Sequence, residues 1–320
     1  MSQHHSIAGL EMLHAPPTDP IHRILVSALS KPFSVQDGRV SVVSASTTMK
    51  PSCAIAIEAR LPYWDATYFG LDRVQLFQDS TPAEQQAILH RASQALIQET
   101  YCIEKAGMGY MSRMALLAET LEERMLYTLF AAEETTHFVQ ICPFLDHEPD
   151  AIANPFLQLL STVVECNDQA LLVFVIQVVL EGWGLTHYRF LANDCLNHEL
   201  RQRFHGFLRD ESRHHGTGVT LFNQRHLTDS SRADIVDVLV QFLQMVQVGP
   251  QAVVEAIAQV KGHLSRTQRI QILSELDTET HSGGRLRLLR SLMQKGEGRA
   301  IAQRLDQLNV FQPLSAHQCA

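Results

Sequence analysis

Two stretches of the chain repeat one arrangement, a glutamate and a histidine three residues apart inside an otherwise apolar helical stripe. AAEETTH carries Glu134 and His137, and RDESRH carries Glu211 and His214. Residues three or four apart lie on the same face of a helix, and apolar residues flank both pairs at that spacing. The repeat therefore predicts two long helices whose buried faces each present one carboxylate and one imidazole.

Two further helical segments each carry a single acid in an apolar row. Glu99 is the acid of the first segment, and Glu181 is the acid of the third, within VFVIQVVLEGWG. The order along the chain is therefore Glu, Glu-x-x-His, Glu, Glu-x-x-His. Glu134 follows Glu99 by 35 residues, and Glu211 follows Glu181 by 30 residues. Each separation allows a helix to turn back beside its neighbour, so we expect the four acids to meet.

Helix-capping and helix-breaking sequences support an all-α fold. Thr81-Pro82-Ala83-Glu84 and Ser265-Arg266-Thr267-Gln268 are capping boxes, the first with proline at the first helical position. Gly249-Pro250 and Ser282-Gly283-Gly284 predict breaks between helices. Gly107 and the glycine two residues after it are expected to weaken or bend the first long helix.

The predicted architecture is a ferritin-like four-helix bundle with additional N-terminal and C-terminal helices. Residues 1–80 are expected to form an irregular segment packed on the bundle, with a short strand near 39–47. Residues 81–225 are expected to form the four-helix bundle itself. Residues 226–320 are expected to add helices that complete the same domain.

Composition narrows the class of protein. The chain has 320 residues, of which 45% are hydrophobic and 19% charged, and its formal net charge is −8. This composition is typical of a soluble globular protein. The absence of a basic block argues against a nucleic-acid partner. The six cysteines form no C-x-x-C pair, and the apolar run 170–180 is too short to cross a bilayer. We therefore expect a cytoplasmic protein that does not span a membrane.

Four buried carboxylates in one bundle would repel each other and lose their hydration, unless cations balance them. Four glutamates balance two divalent ions. Mixed carboxylate and imidazole donors suit iron or manganese, whereas a structural zinc site usually includes thiolates. The alternative is a polar core that holds no metal. The six predicted ligands are Glu134 and Glu211 as bridges, Glu99 and Glu181 as terminal carboxylates, and His137 and His214 with one nitrogen for each ion.

Charged neighbours of the predicted ligands offer a second set of contacts. Metal-bound histidines usually donate their other ring N–H to a carboxylate. Across the bundle, Asp210 could orient His137 and Glu133 could orient His214, while Arg213 could balance one of these acids. The alternative is that these three residues are ordinary exposed helix charges.

The ligand pattern resembles the ferritin-like di-iron carboxylate proteins, and the resemblance covers about residues 82–222. In its length and in the sequence DESRHH, the chain most resembles the p-aminobenzoate N-oxygenase family, whose members oxidise arylamines with dioxygen. That family has an additional histidine ligand four residues before the last glutamate, where this chain has Phe207. His187 and His215 could replace it, but neither lies on the predicted ligand stripe.

The resemblance implies a di-iron oxygenase that uses dioxygen to oxidise an amine or a C–H bond of a small organic substrate. No flavin or nucleotide motif is found, so an external electron donor is expected. The sequence leaves open whether the protein forms a homodimer. An acyl-chain desaturase or oxidase of the same fold and a non-catalytic iron-binding ferroxidase are the alternatives. Storage ferritins are shorter than this chain. The ribonucleotide reductase small subunit keeps a radical tyrosine where this chain has Ile141.

Overall fold

The computed structural model describes residues 16–29, 61–149 and 154–320. Throughout these ranges the regular secondary structure is helical, and no strand occurs in them. The all-α prediction is therefore confirmed for the part of the chain that the structure describes. The strand expected near 39–47 lies outside these residues.

The described parts of the N-terminal segment are helical rather than irregular. Ile21 and Leu25 are buried against the central helices, and this burial stabilises a helix that the sequence did not signal. Asp65 accepts a hydrogen bond from the backbone N–H of Tyr68 and caps a short helix. The elements are α1 (Pro20–Leu29), α2 (Ala66–Phe69), a 3-10 turn (Leu71–Arg73) and α3 (Gln75–Gln78).

Four long helical stretches form the centre of the fold. The first two pack along each other, the third packs along the fourth, and the second also contacts the fourth. A shorter helix, α6, joins the two pairs and contacts the first stretch. The elements are α4 (Pro82–Leu117), α5 (Leu121–Ile141), α6 (Pro155–Val164), α7 (Gln169–Leu172) with a π-helical segment (Val173–Glu181) and α8 (Gly182–Asp194), and α9 (His198–Gln224).

Helix α4 begins as the sequence predicts but does not end or weaken at its glycines. Thr81 and Glu84 form the capping box, and the helix then runs 36 residues to Leu117. A Cβ atom at Gly107 would lie 2.6 Å from Glu134 Oε2. Glycine in a helix costs about 1 kcal/mol relative to alanine, and here it makes room for a carboxylate of the neighbouring helix.

The third stretch contains nine residues wound as a π-helix, Val173–Glu181, immediately before α8. The sequence predicts only a regular helix there, because its run of apolar residues has no clear period. Gln177 lies at the contact with α9, where a Cβ atom on Gly218 would lie 2.2 Å from the Gln177 Cβ atom. The close approach of the two helices therefore requires glycine at 218. Glu181 is the last residue of the π-helical segment.

The C-terminal region adds helices to the same body. The break at Gly249-Pro250 lies between the first two of them, as predicted. Ser282-Gly283-Gly284 does not break a helix, because it lies inside one. Ser282 and Gly283 are buried there, and Gly283 packs against Pro313. The helices are α10 (Asp229–Gln247), α11 (Gln251–Lys261), α12 (Arg266–Glu275), α13 (Thr278–Leu292), α14 (Gly298–Gln307) and α15 (Ala316–Cys319).

One helical stretch in the described residues, Gln169–Asp194, is long and apolar enough to cross a membrane by length and composition. Within its most apolar part, 56% is buried inside the protein. A core helix has the same composition, and this stretch supplies much of the central core.

Candidate metal centre

Four glutamates and two histidines converge between the four long helical stretches. One group contains Glu104, Glu134, His137 and Glu211, and a second contains Glu181, Glu211 and His214, with the ligand atoms of each group within 4.8 Å of one another. Glu211 belongs to both groups. All of these side chains are buried except that of Glu181, which is half-buried.

The carboxylate that α4 contributes is Glu104 and not the predicted Glu99. Glu104 is 1% exposed and lies in the cluster, whereas Glu99 is half-buried and lies in neither group. Burial raises the pKa of Glu99, and the guanidinium of Arg285 partly offsets this effect. Five residues along a helix correspond to about 140° of rotation, so the two acids of α4 face different neighbours.

Glu104 is held by two partners. Its Oε2 atom lies 3.1 Å from His137 Nδ1, and its Oε1 atom accepts a hydrogen bond from the hydroxyl of Tyr188. Tyr188 is buried on α8, seven residues after Glu181. The Tyr188 hydroxyl therefore links Glu104 to the helical stretch that carries Glu181.

Glu211 lies between the two histidines with one oxygen directed to each. Its Oε1 atom is 3.6 Å from His137 Nδ1, and its Oε2 atom is 3.7 Å from His214 Nδ1. Glu134 also approaches the second group, since its Oε1 atom is 3.0 Å from His214 Nδ1. Glu211 thus belongs to both groups of ligand atoms, and Glu134 approaches the second group while belonging to the first.

Two buried atoms of the cluster have no hydrogen-bond partner in the described structure, namely His214 Nδ1 and Glu181 Oε2. The 3.0 Å approach of Glu134 to His214 Nδ1 does not have hydrogen-bond geometry. Buried polar atoms without partners are rare and usually have a missing ligand, water or ion as their explanation. Carboxylate oxygens and imidazole nitrogens that converge in this way, with His214 Nδ1 and Glu181 Oε2 left unpartnered, are compatible with a divalent cation between them.

The electrostatics of the cluster show the cost of grouping these acids. Burial, followed by the charges of Glu211 and Glu104, raises the pKa of Glu134 to about 8. Burial also raises the pKa of Glu181 well above its usual value. Burial acts in the same direction on Glu211, but the proximity of the two histidines outweighs it and lowers that pKa to about 2. The grouped acids therefore favour either bound protons or a cation at the centre of the cluster.

The outer nitrogen of each histidine meets a carboxylate from the opposite helix. His137 Nε2 lies 3.3 Å from Asp210 Oδ2, and His214 Nε2 lies 2.9 Å from Glu133 Oε2. Arg213 donates hydrogen bonds to both acids, at 2.8 Å to Asp210 Oδ1. These are the pairings across the bundle that the sequence led us to expect. Each pair leaves Nδ1 as the nitrogen that faces the cluster.

A phenylalanine packs against each histidine in the same symmetric manner. The Phe130 ring lies 4.3 Å from the His214 ring, and the Phe207 ring lies 4.2 Å from the His137 ring. Each phenylalanine precedes a cluster glutamate by four residues. Phe207, at the position where the N-oxygenase family has its additional histidine, therefore supplies packing against a histidine and no donor atom.

The two other histidines that were considered as ligands lie outside both groups. His215 Nδ1 is 2.8 Å from the backbone carbonyl of Gln177 in the π-helical segment. His187 lines a cavity next to the cluster. The three-residue offset from Glu211 to His214, rather than the four-residue offset to His215, is therefore the one that enters the cluster.

The cavity shares three carboxylates with the cluster, those of Glu134, Glu181 and Glu211. The rest of its lining is mainly apolar and comes from α4, α6, the π-helical segment and α8. It holds about 680 Å³ of atom-free space, including its opening to solvent.

Comparison of the chain with protein-family models, with curated proteins and with solved structures found no match.

Sequence reasoning missed Glu104, although the sequence contains a signal for it. Glu134 follows Glu104 by 30 residues, which equals the separation from Glu181 to Glu211. Glu104 also continues a helical stripe with Ile97 and Tyr101, both of which are buried. Equal separations in the two halves would have favoured Glu104 over Glu99.

Proposed function

We propose that the chain is a non-haem di-iron oxygenase of the ferritin-like superfamily, which uses dioxygen to oxidise a small organic molecule. The observation that carries this proposal is the buried Glu/His cluster that opens into an apolar cavity through three of its own carboxylates. One glutamate from each of two helices and a Glu-x-x-His pair from each of the other two is the donor pattern of the di-iron carboxylate bundles.

In this proposal each residue of the cluster has a defined task. Glu134 and Glu211 would be shared between two divalent cations, and Glu104 and Glu181 would each hold one, so that four negative charges would balance the two cations. The fifth and sixth ligands are His137 and His214, each through Nδ1. When bound, two ferrous ions, or manganese in their place, would supply the electrons and the open coordination positions that dioxygen activation needs. An external reductase or carrier protein replaces those electrons after each turnover.

The apolar lining favours an organic substrate over hydrated iron ions, because desolvating ions in such a cavity would be costly. It therefore supports an enzyme over an iron-storage protein or ferroxidase. A desaturase of the same fold would need the same cluster and a similar lining. The product assay must therefore detect both insertion of an oxygen atom and loss of two hydrogen atoms.

A single-turnover experiment tests the proposal. Protein loaded anaerobically with ferrous iron is mixed with dioxygen and a panel of arylamines, alkylbenzenes and acyl chains, and products are measured by mass spectrometry. We expect about two irons per chain and an oxidised organic product that depends on iron and dioxygen. His214→Ala is the control that should abolish the product. Accumulation of many irons per chain without any organic oxidation would favour a ferroxidase instead.

A further inference from the structure

The cavity beside the cluster has no cationic side chain among the described residues that line it. The carboxyl groups of its lining are those of Glu134, Glu181 and Glu211, and these belong to the cluster. No lysine or arginine contributes to the lining in the part of the chain that the structure describes. A ligand with its own carboxylate or phosphate would lose its hydration there without gaining a cationic side chain as its partner. The lining therefore disfavours an anionic ligand.

Two tyrosines of the lining already use their hydroxyl protons within the protein. Tyr110 donates to Gln177 Oε1 at 2.9 Å, and Tyr188 donates to Glu104. Burial raises the pKa of both phenols well above 10, so that they remain protonated donors. These hydroxyls are therefore committed to holding the protein together.

His187 has a buried nitrogen that nothing in the described structure satisfies. Its Nε2 atom is buried and has no hydrogen-bond partner in the described structure, while its ring stacks on Trp183 with 5.7 Å between ring centres. The other unpartnered buried atom of the lining, Glu181 Oε2, belongs to the cluster. A buried polar atom without a hydrogen-bond partner destabilises the fold, because its hydration is lost without replacement. A ligand that supplies the missing hydrogen bond would recover part of this free energy.

His187 offers an uncharged contact. Burial, followed by the nearby charge of Arg285, lowers the pKa of its imidazole to about 3. The ring is therefore neutral at physiological pH, with one nitrogen that donates and one that accepts. Such a group can hydrogen-bond a hydroxyl, an amine or a carbonyl, but it cannot neutralise an anion.

We propose that the cavity binds an uncharged, largely apolar molecule with one hydrogen-bonding group, and that His187 Nε2 recognises that group. His187 is then a specificity-determining residue, which holds the polar end of the molecule while the apolar part packs against the lining. As the substrate class of the proposed oxygenase, this inference rests on the proposed function. Binding itself requires no oxidation, so it can be measured separately.

Three probes of similar size test the inference, namely 4-propylphenol, propylbenzene and 4-propylbenzoate. Their binding to anaerobic, iron-loaded protein is measured by calorimetry, and the metal content of each sample is determined. We expect 4-propylphenol to bind about 2- to 12-fold more tightly than propylbenzene, as one neutral hydrogen bond provides. We expect 4-propylbenzoate to bind more weakly than 4-propylphenol.

Substitutions then assign the preference to His187. His187→Phe should bring the affinity for 4-propylphenol down to that for propylbenzene, while propylbenzene binding and metal content are retained. His187→Gln keeps a polar atom and should keep part of the preference, which covers the possibility that the phenylalanine variant does not fold. His198→Phe, an exposed histidine at the start of α9, is the matched control and should bind all three probes as the unmodified protein does.

The outcomes separate the two proposals. Tighter binding of 4-propylbenzoate than of 4-propylphenol, no binding of either neutral probe, or a phenol preference that survives in both His187 variants would overturn the inference. Protein that holds no metal but keeps the His187-dependent preference would contradict the proposed oxygenase alone. Protein with two metals and no such preference would contradict the cavity inference alone.

Discussion

The strongest test of the metal centre compares two glutamates of the same helix, Glu104 and Glu99. Glu104 is 1% exposed, and its carboxylate lies 3.1 Å from His137 Nδ1. Glu99 lies outside both groups of ligand atoms. Replacement of each by glutamine keeps the size of the side chain and removes its negative charge. The two variants therefore differ mainly in which face of α4 loses that charge.

The expected magnitude follows from the position of each carboxylate. Loss of a residue that only orients a metal ligand typically lowers metal affinity by about 10- to 100-fold. Glu104→Gln removes a proposed direct ligand and should lower the affinity by about 100-fold or more. Glu99→Gln should change the affinity by less than about 2-fold. Tyr188 still has an acceptor in the Glu104→Gln variant, so the loss reports on charge more than on folding.

Stability supplies an independent measurement for Glu99. Because burial raises its pKa in the folded state, ionised Glu99 destabilises the fold as pH rises from the unfolded value through the folded value. Above that window Glu99→Gln should therefore melt at the same temperature as the unmodified protein, or at a higher one. Thermal unfolding at pH 5 and pH 8 shows whether the effect has the expected pH dependence.

The assay is anaerobic titration of metal-free protein with ferrous iron, in competition with a chelator of known affinity. Metal that remains after desalting gives the number of ions per chain. If Glu99→Gln loses metal while Glu104→Gln keeps it, the face of α4 that meets the cluster is the one that carries Glu99 and not the one that carries Glu104. If both variants retain two ions with unchanged affinity, neither acid is a ligand.

Four further predictions concern the same site. Metal removal should lower the melting temperature by about 8 °C. Binding of a metal at 1,000 times its Kd stabilises the fold by about 4 kcal/mol, and each kcal/mol corresponds to about 2 °C. An unchanged melting temperature would mean that the acids need no cation. His214→Ala should lose at least one ion, whereas His215→Ala should retain both, as metal analysis will show. Gly107→Ala should destabilise the protein by about 1–3 kcal/mol in chemical denaturation through overpacking, while Gly109→Ala, which has space for a Cβ atom, should not. Asp210→Asn should weaken metal binding by about 10- to 100-fold in the chelator competition, and no change would make this residue an ordinary helix charge.

Regular features of the fold could be predicted from the sequence because they depend on neighbouring residues. The capping boxes at Thr81 and Ser265 need only a few residues in contact along the chain, and both form. Features that depend on packing were predicted wrongly. Ser282-Gly283-Gly284 continues α13 because small residues fit there against Pro313, and the sequence alone gives no means to foresee that neighbour.

The repeated Glu-x-x-His pairs show what the sequence by itself determined about the cluster. A spacing of three residues on a helix places both side chains on one face, whatever surrounds that helix. Each helix therefore presents its own pair, Glu134 with His137 on α5 and Glu211 with His214 on α9, and all four side chains are buried together. Glu133 and Asp210 each stand one residue before the glutamate of a pair, so the same helical geometry fixes their direction. Asp210 reaches His137 on the opposite helix, and Glu133 reaches His214.

Only the tertiary structure decided which acid of α4 faces the cluster. Glu99 and Glu104 both lie in rows of apolar residues, about 140° apart around one long helix. A helix that is covered on several sides has more than one apolar row, so periodicity does not identify the row that meets α5 and α9. The partners decide it: Glu104 reaches His137 and Tyr188, while the electrostatic partner of Glu99 is Arg285 from α13. The direction of a side chain in a buried helix is a property of the neighbours that cover it, and those neighbours are brought there by distant parts of the chain.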